Sequence, residues 1–500
     1  MHFLRHAHRR RAFLGGSLAL SSGVTMPLLF GAGRARAQAS TTPPAERLLF
    51  VIAAAGGGSI TESFLPVADT EVSGPGVAAT LAVQPSSQIA TVAGTSLRCV
   101  KNRGGTVAEL PAGNAIAQEL FLERHGADTV VVTLEGTSVN HRVAQKRSLT
   151  GAGIDRGRTI LEAVAARHGE GLLLPNVNMA PDGYLEHGDD DTVPLFARTE
   201  PVRDAKLFAF QTHGTKGVVD DDMARVVARA RGVRDALDDE TAFGHTFAGA
   251  PLRQRYLSRR ADIARLEAGD LVKELMFVPD DAATYPLSQF GLARSSVADR
   301  VLEIFPNLDV DPFESQGALA FLLARAGTTA AIALSPSFQP EFKGATIVNT
   351  PIAFDFSHAD HPGTQNVMWS RVLAVADGLI RLLKSEPASP VDEGAGTLWD
   401  RSLVYIATDF GRDKLRPSGS SSWGTGHHLN NGHVLISPLL KGGRAFGGVD
   451  PETLLTYGFD TTTGDPAPGT VMREGHVYST IAQALDVDFD GRHDMSAVVR

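Results

Sequence analysis

Thr137, Ser138 and Asn140 lie between an apolar, β-rich run at residues 129–134 and a segment with helical spacing. A hydroxyl at the N-terminus of a helix lies beside free N–H groups and the positive end of the helix dipole, which favour anions. Thr137 could attack a phosphoryl or sulfuryl centre if a metal lowered the pKa of its hydroxyl. Asn140 and the helix N-terminus would then hold the anionic oxygens. The alternative is that Thr137 and Ser138 only cap the helix.

A carboxylate and two imidazoles are concentrated in one short segment at the end of a predicted strand at residues 352–356. They are Asp355, His358 and His361. Metal ligands must be few and convergent, and this spacing is dense enough to suggest them. The alternative is a surface loop that happens to contain histidines, and His361 stays undecided between ligand and surface residue.

Asp409 directly follows another predicted strand, at residues 403–407. An Asp at the carboxyl end of a strand, followed by Gly, suits a metal-ligand position because sites in open α/β sheets gather at that edge. Arg412 could bind an anion in bidentate fashion. A salt bridge between Asp409 and Arg412 that fixes the loop is the alternative.

Three histidines share a Gly- and Asn-rich loop that leads into a predicted strand at residues 434–436. They are His427, His428 and His433. Such a loop is usually flexible, so a bound metal that orders it would explain the cluster. The sequence does not decide which of the three faces the site. The run Gly56–Gly58 could let the backbone approach a ligand closely, but it lacks the spacing of a dinucleotide fingerprint.

Composition excludes several other kinds of site. The 500 residues carry 47 basic and 56 acidic side chains, a formal net charge of −9, which argues against nucleic acid as the main partner. The single cysteine, Cys99, excludes an intrachain disulfide and a Cys-rich zinc or iron–sulfur site. The 16 histidines and the carboxylates remain as ligands, and these favour oxygen and nitrogen metal chemistry.

Short apolar runs alternate with segments of helical spacing. Strands are predicted at 48–52, 129–134, 328–334, 352–356, 403–407 and 434–436, and helices at 114–124, 140–149, 158–167 and 367–383. This alternation is typical of an α/β fold with a doubly wound, mostly parallel sheet and helices on both faces. Residues 203–280, rich in Ala, Arg and Asp, predict a helical insertion within a single domain of residues 40–500.

The N-terminal region has the features of an export signal. The basic stretch Arg9-Arg10-Arg11-Ala12-Phe13-Leu14 precedes an apolar run at 18–30 and the small-residue pattern Ala35-Arg36-Ala37-Gln38-Ala39. This order predicts a twin-arginine signal peptide over residues 1–39, with an uncleaved anchor as the alternative. We therefore expect a periplasmic or secreted protein with no stable membrane span after cleavage. Loss of six arginines would leave a net charge of −15.

Taken together, the motifs resemble the alkaline phosphatase superfamily, which includes sulfatases and phosphodiesterases. In the phosphodiesterase branch, a Thr-x-x-Asn-His nucleophile segment leads into a helix that ends in Thr-Gly. Residues 137–141 and 149–151 have this pattern. That branch then uses an Asp…His pair, an Asp-His-Gly and a Gly-x-His, and residues 355–358, 409–411 and 426–428 follow in that order.

A closer resemblance covers most of the chain. It is to a family of twin-arginine-exported bacterial proteins called domain of unknown function 1501, within the same sulfatase-like superfamily. Its Arg-Arg-x-Phe-Leu signal is similar to residues 10–14, and its Asp-Thr-His segment to 355–358. Its Thr-Glu-Phe-Gly-Arg-Thr and Asp-His-Trp-Pro motifs are similar to residues 408–412 and 427–430.

The chain departs from the superfamily at two positions. The first strand of the superfamily usually ends in a metal-binding Asp, whereas here no carboxylate follows until Glu62. Phe410 stands where the superfamily has the His of Asp-His-Gly. Both departures affect the metal that would activate Thr137. They favour one metal, held by Asp355, His358 and His428, over a complete two-metal site.

The resulting hypothesis is an exported, metal-dependent hydrolase of a phosphate or sulfate ester. The expected metal is zinc, calcium or manganese, as one ion or none, and the expected substrate is a small-molecule or glycan ester. The candidate ligands are Asp355, His358, His361, Asp409, His427 and His428, with Thr137 and Asn140 as catalytic residues. The alternative is a catalytically degenerate relative that binds an envelope partner. A secreted cofactor-dependent oxidoreductase is a third, weaker hypothesis, suggested only by the export route.

Overall fold

The computed structural model describes residues 45–73, 80–101, 115–213, 221–250, 253, 256–257, 260, 271–283, 286–290, 293–336, 353–389, 393–416 and 423–500. Residues Ser40–Arg500 belong to one compact unit. The predicted signal peptide at 1–39 lies outside the described residues, as do parts of the predicted insertion at 203–280.

The centre of the protein is an eight-stranded sheet. In chain order its strands are β1 (Leu48–Ala54), β2 (Thr129–Glu135), β3 (Asn176–Asn178), β4 (Glu200–Pro201), β5 (Ala331–Leu334), β6 (Ser402–Thr408), β7 (Asn430–Ile436) and β8 (Arg444–Phe446). Their order across the sheet is β8-β2-β7-β6-β1-β5-β3-β4. Only β7 runs antiparallel to its neighbours, so the sheet is mixed and mostly parallel.

The central strands are buried along their whole length. All seven residues of β1, β6 and β7 are buried. Since successive side chains of a strand point to opposite faces, both faces of the sheet must be covered. The predicted α/β class and four of the predicted strand positions, within β1, β2, β6 and β7, are therefore confirmed.

The helices surround this sheet. They are α1 (Ile60–Ser63), α2 (Gln118–His125), α3 (His141–Thr150), α4 (Ile160–His168), α5 (Phe208–His213), α6 (Asp221–Glu240), α7 (Ala242–Thr246), α8 (Leu271–Leu275), α9 (Ala298–Ile304), α10 (Pro312–Arg325), α11 (His361–Ser385) and α12 (Glu474–Ala484). One group, α2, α10 and α11, packs together, and a second, α3, α4 and α12, does the same. Within the described ranges, no helix has both the length and the apolar character needed to cross a bilayer.

The ends of the helices near the site follow local capping chemistry. The Asn140 side chain accepts a hydrogen bond from the backbone N–H of Val143 and caps α3. Asp360 caps α11 in the same way through Gly363, and Pro362 occupies the first turn, where a missing N–H costs nothing. Helix α11 therefore begins at His361, six residues before the start predicted from periodicity.

The predicted strand at residues 352–356 is wrong over its described residues. Phe354–His358 form a 3₁₀ turn instead. Phe354 is buried because its ring packs on Trp369 of α11, with ring centroids 5.0 Å apart. An apolar residue thus reaches the core from a loop, and a short apolar run alone does not separate that case from a strand.

Candidate metal centre

Several loops, some of which carry candidate functional side chains, meet at one edge of the sheet. Because β1, β2 and β6 are mutually parallel, their carboxyl ends lie at the same edge. Strand β7 runs in the opposite direction, so the chain before it, residues 423–429, also lies at this edge. The 3₁₀ turn Phe354–His358 joins them, since the N–H of Phe354 donates to the carbonyl of Ala55 just beyond β1.

Four side chains form a compact group at this edge. His141, Asp355, His358 and His427 each offer one ligand atom, and these atoms lie within 4.8 Å of one another. Asp355 Oδ1 is 3.0 Å from His141 Nε2 and 3.3 Å from His358 Nε2. The Nε2 atoms of His358 and His427 are 2.8 Å apart. We call this group the His–Asp cluster.

The orientation of His141 depends on Asp409. His141 Nδ1 is 2.9 Å from Asp409 Oδ2. The same buried carboxylate accepts hydrogen bonds from the backbone N–H groups of Gly56 (3.1 Å) and Gly57 (2.6 Å) and from Gln145 Nε2 (3.3 Å). Burial lowers the pKa of His141, but the hydrogen bond and charge of Asp409 and the charge of Asp355 outweigh it, so the pKa is raised.

Glycine is required where the chain turns toward Asp409. Gly56 and Gly57 have φ values of +96° and +84°, a region that side chains disfavour. A Cβ on Gly56 would lie 2.2 Å from the backbone nitrogen of Asp355. The glycines after β1 therefore bring the backbone close to the cluster, and their N–H groups serve Asp409.

His427 is oriented from the opposite side. Its Nδ1 is 2.8 Å from the carbonyl oxygen of Val139, which leaves Nε2 for the cluster. Its ring stacks on Phe410, with centroids 4.0 Å apart and planes 27° apart. Burial is the main cause of the lowered pKa of His427.

Asp355 Oδ1 is an orphaned acceptor. In the described part of the chain it is buried and has no hydrogen-bond partner, although two imidazoles lie at ion-pair distance. A buried acceptor without a donor is costly. The oxygen is therefore available to a bound cation beside the imidazoles of His141 and His358.

Beneath the cluster, Arg412 ties the loops together. Its side chain is fully buried, and its guanidinium donates to the carbonyls of Gly57 (3.2 Å), Phe354 (3.0 Å) and Thr425 (3.4 Å), and also to Gly56. Arg412 is 3.8 Å from Asp355 and forms no ion pair with Asp409 among the described contacts. Its donors are used by backbone carbonyls, so its position fits a structural role.

His361 occupies a second buried position under the cluster. Its Nε2 lies 2.8 Å from Glu62 Oε2, and its Nδ1 lies 3.0 Å from Thr425 Oγ1. Its backbone N–H donates to the carbonyl of Trp423, and its ring stacks on the Trp423 indole at 4.9 Å. His361 thus fastens the segment that carries His427 to the start of α11.

His428 and His433 lie outside the cluster. His428 Nδ1 accepts the N–H of Asn430 at 3.0 Å. His427 and His428 form a two-residue strand, and neighbours in a strand point to opposite faces. His433 is buried behind Asp409, 3.3 Å from the hydroxyl of Tyr405, and burial is the main cause that lowers its pKa to about 4.

Thr137 is held by Glu474 and Arg147. Its backbone N–H and its hydroxyl both donate to Glu474 Oε1, at 2.8 and 2.7 Å. Arg147 Nη1 donates to the hydroxyl at 3.1 Å and to the Thr137 carbonyl at 2.7 Å. Thr137 is exposed, whereas Glu474 is buried. Asn140 uses its Oδ1 as the cap of α3, so only its Nδ2 could reach an anionic oxygen.

Of the residues proposed as ligands from the sequence, the structure brings Asp355, His358 and His427 together. It puts His361, Asp409 and His428 outside the group. Sequence reasoning did not propose His141 as a ligand, although this residue opens the helix after β2 and so had to lie at the carboxyl edge.

Comparison with known proteins adds no family to this geometry. No protein-family model matches the chain, and no curated protein matches it.

Proposed function

We propose that the protein is a hydrolase of phosphate or sulfate esters that depends on one divalent metal ion. The ion would be held by His141, Asp355, His358 and His427. The observation that carries this proposal is the convergence of three imidazole nitrogens and one carboxylate oxygen, all within 4.8 Å of one another, at one half-exposed point.

The imidazole protons support this interpretation. The Val139 carbonyl can only accept, so His427 Nδ1 carries a proton and its Nε2 presents a lone pair. Asp409 is surrounded by donors and stays an acceptor, so His141 Nδ1 also carries a proton and donates it. The Nε2 lone pairs of both rings then lie beside the orphaned Asp355 Oδ1. A cation relieves this arrangement, and second-sphere hydrogen bonds of this kind orient metal-binding histidines.

The distances and the donor set favour zinc over calcium. Tetrahedral zinc with bonds of about 2.0 Å separates its ligand atoms by about 3.3 Å. Three of the six separations, 2.8, 3.0 and 3.3 Å, are near that value, and all six lie within 4.8 Å. Three imidazoles with one carboxylate suit zinc, whereas calcium prefers six or more oxygens.

The metal ion, Thr137, Glu474 and Asn140 each have a proposed role in the reaction. A bound divalent ion would polarise the phosphoryl or sulfuryl oxygen as a Lewis acid. Thr137 lies two residues before Val139, whose carbonyl contacts His427, and its hydroxyl already donates to the Glu474 carboxylate. Glu474 could therefore take the proton as Thr137 attacks, and Asn140 Nδ2 could hold an anionic oxygen.

Two observations argue against a second metal ion, and a site with one ion leaves room for a non-catalytic alternative. Asp409 accepts four hydrogen bonds, which uses the acceptor capacity of a carboxylate. Phe410 packs on both His141 and His427, beside the cluster, where it offers no ligand. A protein that keeps one metal for structure or partner binding is therefore the second candidate.

We also propose the wider identity suggested by the sequence. The order of motifs supports membership of the domain of unknown function 1501 family within the alkaline phosphatase-like superfamily. The basic, apolar and small-residue regions in residues 1–39 support twin-arginine export to the periplasm or beyond.

The test is metal content and ester hydrolysis in the same preparation. The protein is purified without an affinity tag or chelator, and its metals are measured by mass spectrometry. We expect about one ion per chain, and hydrolysis of 4-nitrophenyl phosphate or 4-nitrophenyl sulfate that chelation removes and zinc restores. Asp355→Asn and His358→Gln should lose both the ion and the activity.

His245→Gln is the matched control, because His245 is an exposed histidine on α7 outside the cluster. It should keep the ion and the activity. A folded protein that binds no zinc in titration contradicts the metal site. A protein that holds one ion but hydrolyses neither ester favours the non-catalytic alternative.

A further inference from the structure

A polar cleft of about 300 Å³ runs along the exposed side of α3. One wall is formed by Arg142, Lys146 and Arg147 of that helix. Glu186 and Asp189 form the opposite wall. The cleft is thus lined by three cations and two carboxylates, and neither sign of charge dominates it.

The two walls carry opposite charges and are joined by ion pairs. Arg142 pairs with Glu186, and Lys146 lies 3.9 Å from Glu186 and 2.6 Å from Asp189. The basic wall therefore presents strong donors, and the acidic wall opposite presents strong acceptors. Such a surface suits a ligand with many groups that can both donate and accept.

The acidic wall is fixed to the helix rather than free. The N–H of Gly183 donates to Gln145 Oε1 at 3.0 Å, and a Cβ on Gly183 would lie 2.3 Å from the Arg142 carbonyl oxygen. At the other end, the N–H of Asp189 donates to the Gly157 carbonyl at 2.9 Å. The cleft is therefore preformed, which lowers the entropic cost of binding.

One part of the cleft lining has a left-handed backbone. Ala152 lines the cleft with a φ of 55°, between Gly151 at 59° and Gly153 at 97°. A side chain in this left-handed region is unfavourable, and strain of this kind concentrates at binding sites.

The cleft adjoins Thr137, the proposed nucleophile, through the lining residue Arg147. Arg142, its first lining residue, directly follows the ligand His141, and α3 rises about 1.5 Å per residue from there. Gln145 contacts both Asp409, which holds His141, and Gly183 of the acidic wall. Arg147 contacts the hydroxyl of Thr137. A group bound in the cleft would therefore extend from an ester bond at the Thr137 hydroxyl.

We propose that this cleft binds the alcohol part of the ester and that this part is polyhydroxylated, as in a sugar. The inference rests on the proposed ester hydrolase. Hydroxyls donate to Glu186 and Asp189 and accept from Lys146 and Arg142, so every polar group of the walls keeps a partner. An apolar alcohol would desolvate these charges without compensation, and a polyanion would meet two carboxylates.

The reaction consumes one water. The bond between the sugar oxygen and phosphorus or sulfur breaks, the sugar leaves with a proton on that oxygen, and water supplies the hydroxyl on phosphate or sulfate. The cleft holds the sugar and takes no part in bond breaking.

The test compares two esters of each acid. Glucose 6-phosphate and glucose 6-sulfate present a sugar, whereas 4-nitrophenyl phosphate and 4-nitrophenyl sulfate present a flat aryl group. In Lys146→Met, and in Glu186→Gln as an independent second variant, KM for the glucose esters should rise about tenfold or more with little change in kcat. KM for the aryl esters should stay within about twofold.

Lys384→Met is the matched control, because Lys384 is a comparably exposed lysine paired with Asp128 and does not line the cleft. It should leave both kinds of ester unchanged. Equal changes for glucose and aryl esters, unchanged glucose kinetics, or a wild type that hydrolyses only aryl esters would overturn the cleft proposal and leave the hydrolase standing. Failure on every ester would overturn the hydrolase, and the cleft proposal with it.

Discussion

The His–Asp cluster and the polar network directly beneath it both contain histidine but differ in exposure. The side chains of His358 and Asp355 in the cluster are 45% and 41% exposed. Beneath them, the side chains of His361 and Arg412 are fully buried. The exposed members converge on one another within 4.8 Å, whereas the buried members bind other side chains and backbone carbonyls of the protein.

This difference separates two tasks. Polar groups near the surface lose little free energy when a ligand leaves, because water takes its place. Buried polar groups gain from each hydrogen bond but lose heavily when one partner is removed. We therefore infer that the cluster carries metal affinity and that the buried network carries folding stability and the geometry of the cluster. The experiments below would break or sharpen that division.

The largest effect is expected for Arg412→Met. The substitution leaves buried carbonyls of Gly56, Gly57 and Phe354 without their donor. The free energy of unfolding in urea should fall by about 3–5 kcal/mol, as for other broken buried networks.

Arg142→Met is the control for that measurement, since Arg142 is an exposed arginine paired with Glu186. Its free energy of unfolding should change by no more than about 0.5 kcal/mol. Similar losses in the two variants would show that burial does not separate the network from the surface.

A smaller effect is expected from acid acting on His433, which is buried behind Asp409. Burial lowers the pKa of His433 to about 4 in the folded protein, against 6.5 for an ordinary histidine. Between these pH values the unfolded chain binds a proton that the folded protein excludes. The free energy of unfolding should therefore fall by about 3 kcal/mol as the pH drops from about 6.5 to about 4.

His433→Asn checks this origin, because the Asn Oδ1 can replace Nδ1 as an acceptor for the Thr408 N–H and the Tyr405 hydroxyl. The variant should be less stable at neutral pH, yet lose less stability than the wild type on acidification. If the pH dependence of unfolding is the same in both proteins, His433 is not the acid-sensitive group.

The central strands could be predicted from sequence alone because each is a short, continuous apolar run. Runs such as Leu48–Ile52 are apolar at every position, as buried parallel strands must be. The direction of β7 could not be predicted in this way, since a fully buried strand looks the same in both directions. The turn at Phe354–His358 was missed for a similar reason: the apolar Phe354 is buried by Trp369, which comes later in the chain.

The candidate site was predictable only as far as its edge of the sheet. The end of a predicted strand correctly indicated the segment that contains Asp409, whereas His427 precedes β7 and reaches this edge because that strand is antiparallel. Contacts between residues far apart in sequence decide which of these side chains belong to the cluster and which hold it in place. His361 is held by Glu62, 299 residues away in sequence, and no local pattern indicates that pairing.

The last and smallest effect decides between ligand and support most directly. Asp409→Asn replaces an acceptor of four hydrogen bonds by a group that carries donors, so His141 loses its orientation while all four proposed ligands remain. Zinc affinity, measured by competition with a chelator, should fall about 10- to 100-fold, the usual cost of losing a ligand's supporting carboxylate. Asp355→Asn should weaken zinc binding more than this, yet change the free energy of unfolding of the metal-free protein by no more than about 1 kcal/mol, because the ion pairs of the half-exposed Asp355 with His141 and His358 are partly exposed to water. Asp409→Asn should destabilise the metal-free protein, since Gly56 and Gly57 lose a charged acceptor. If Asp409→Asn instead abolishes zinc binding while Asp355→Asn retains it, Asp409 is the ligand, and the division between an exposed cluster and a buried support is wrong.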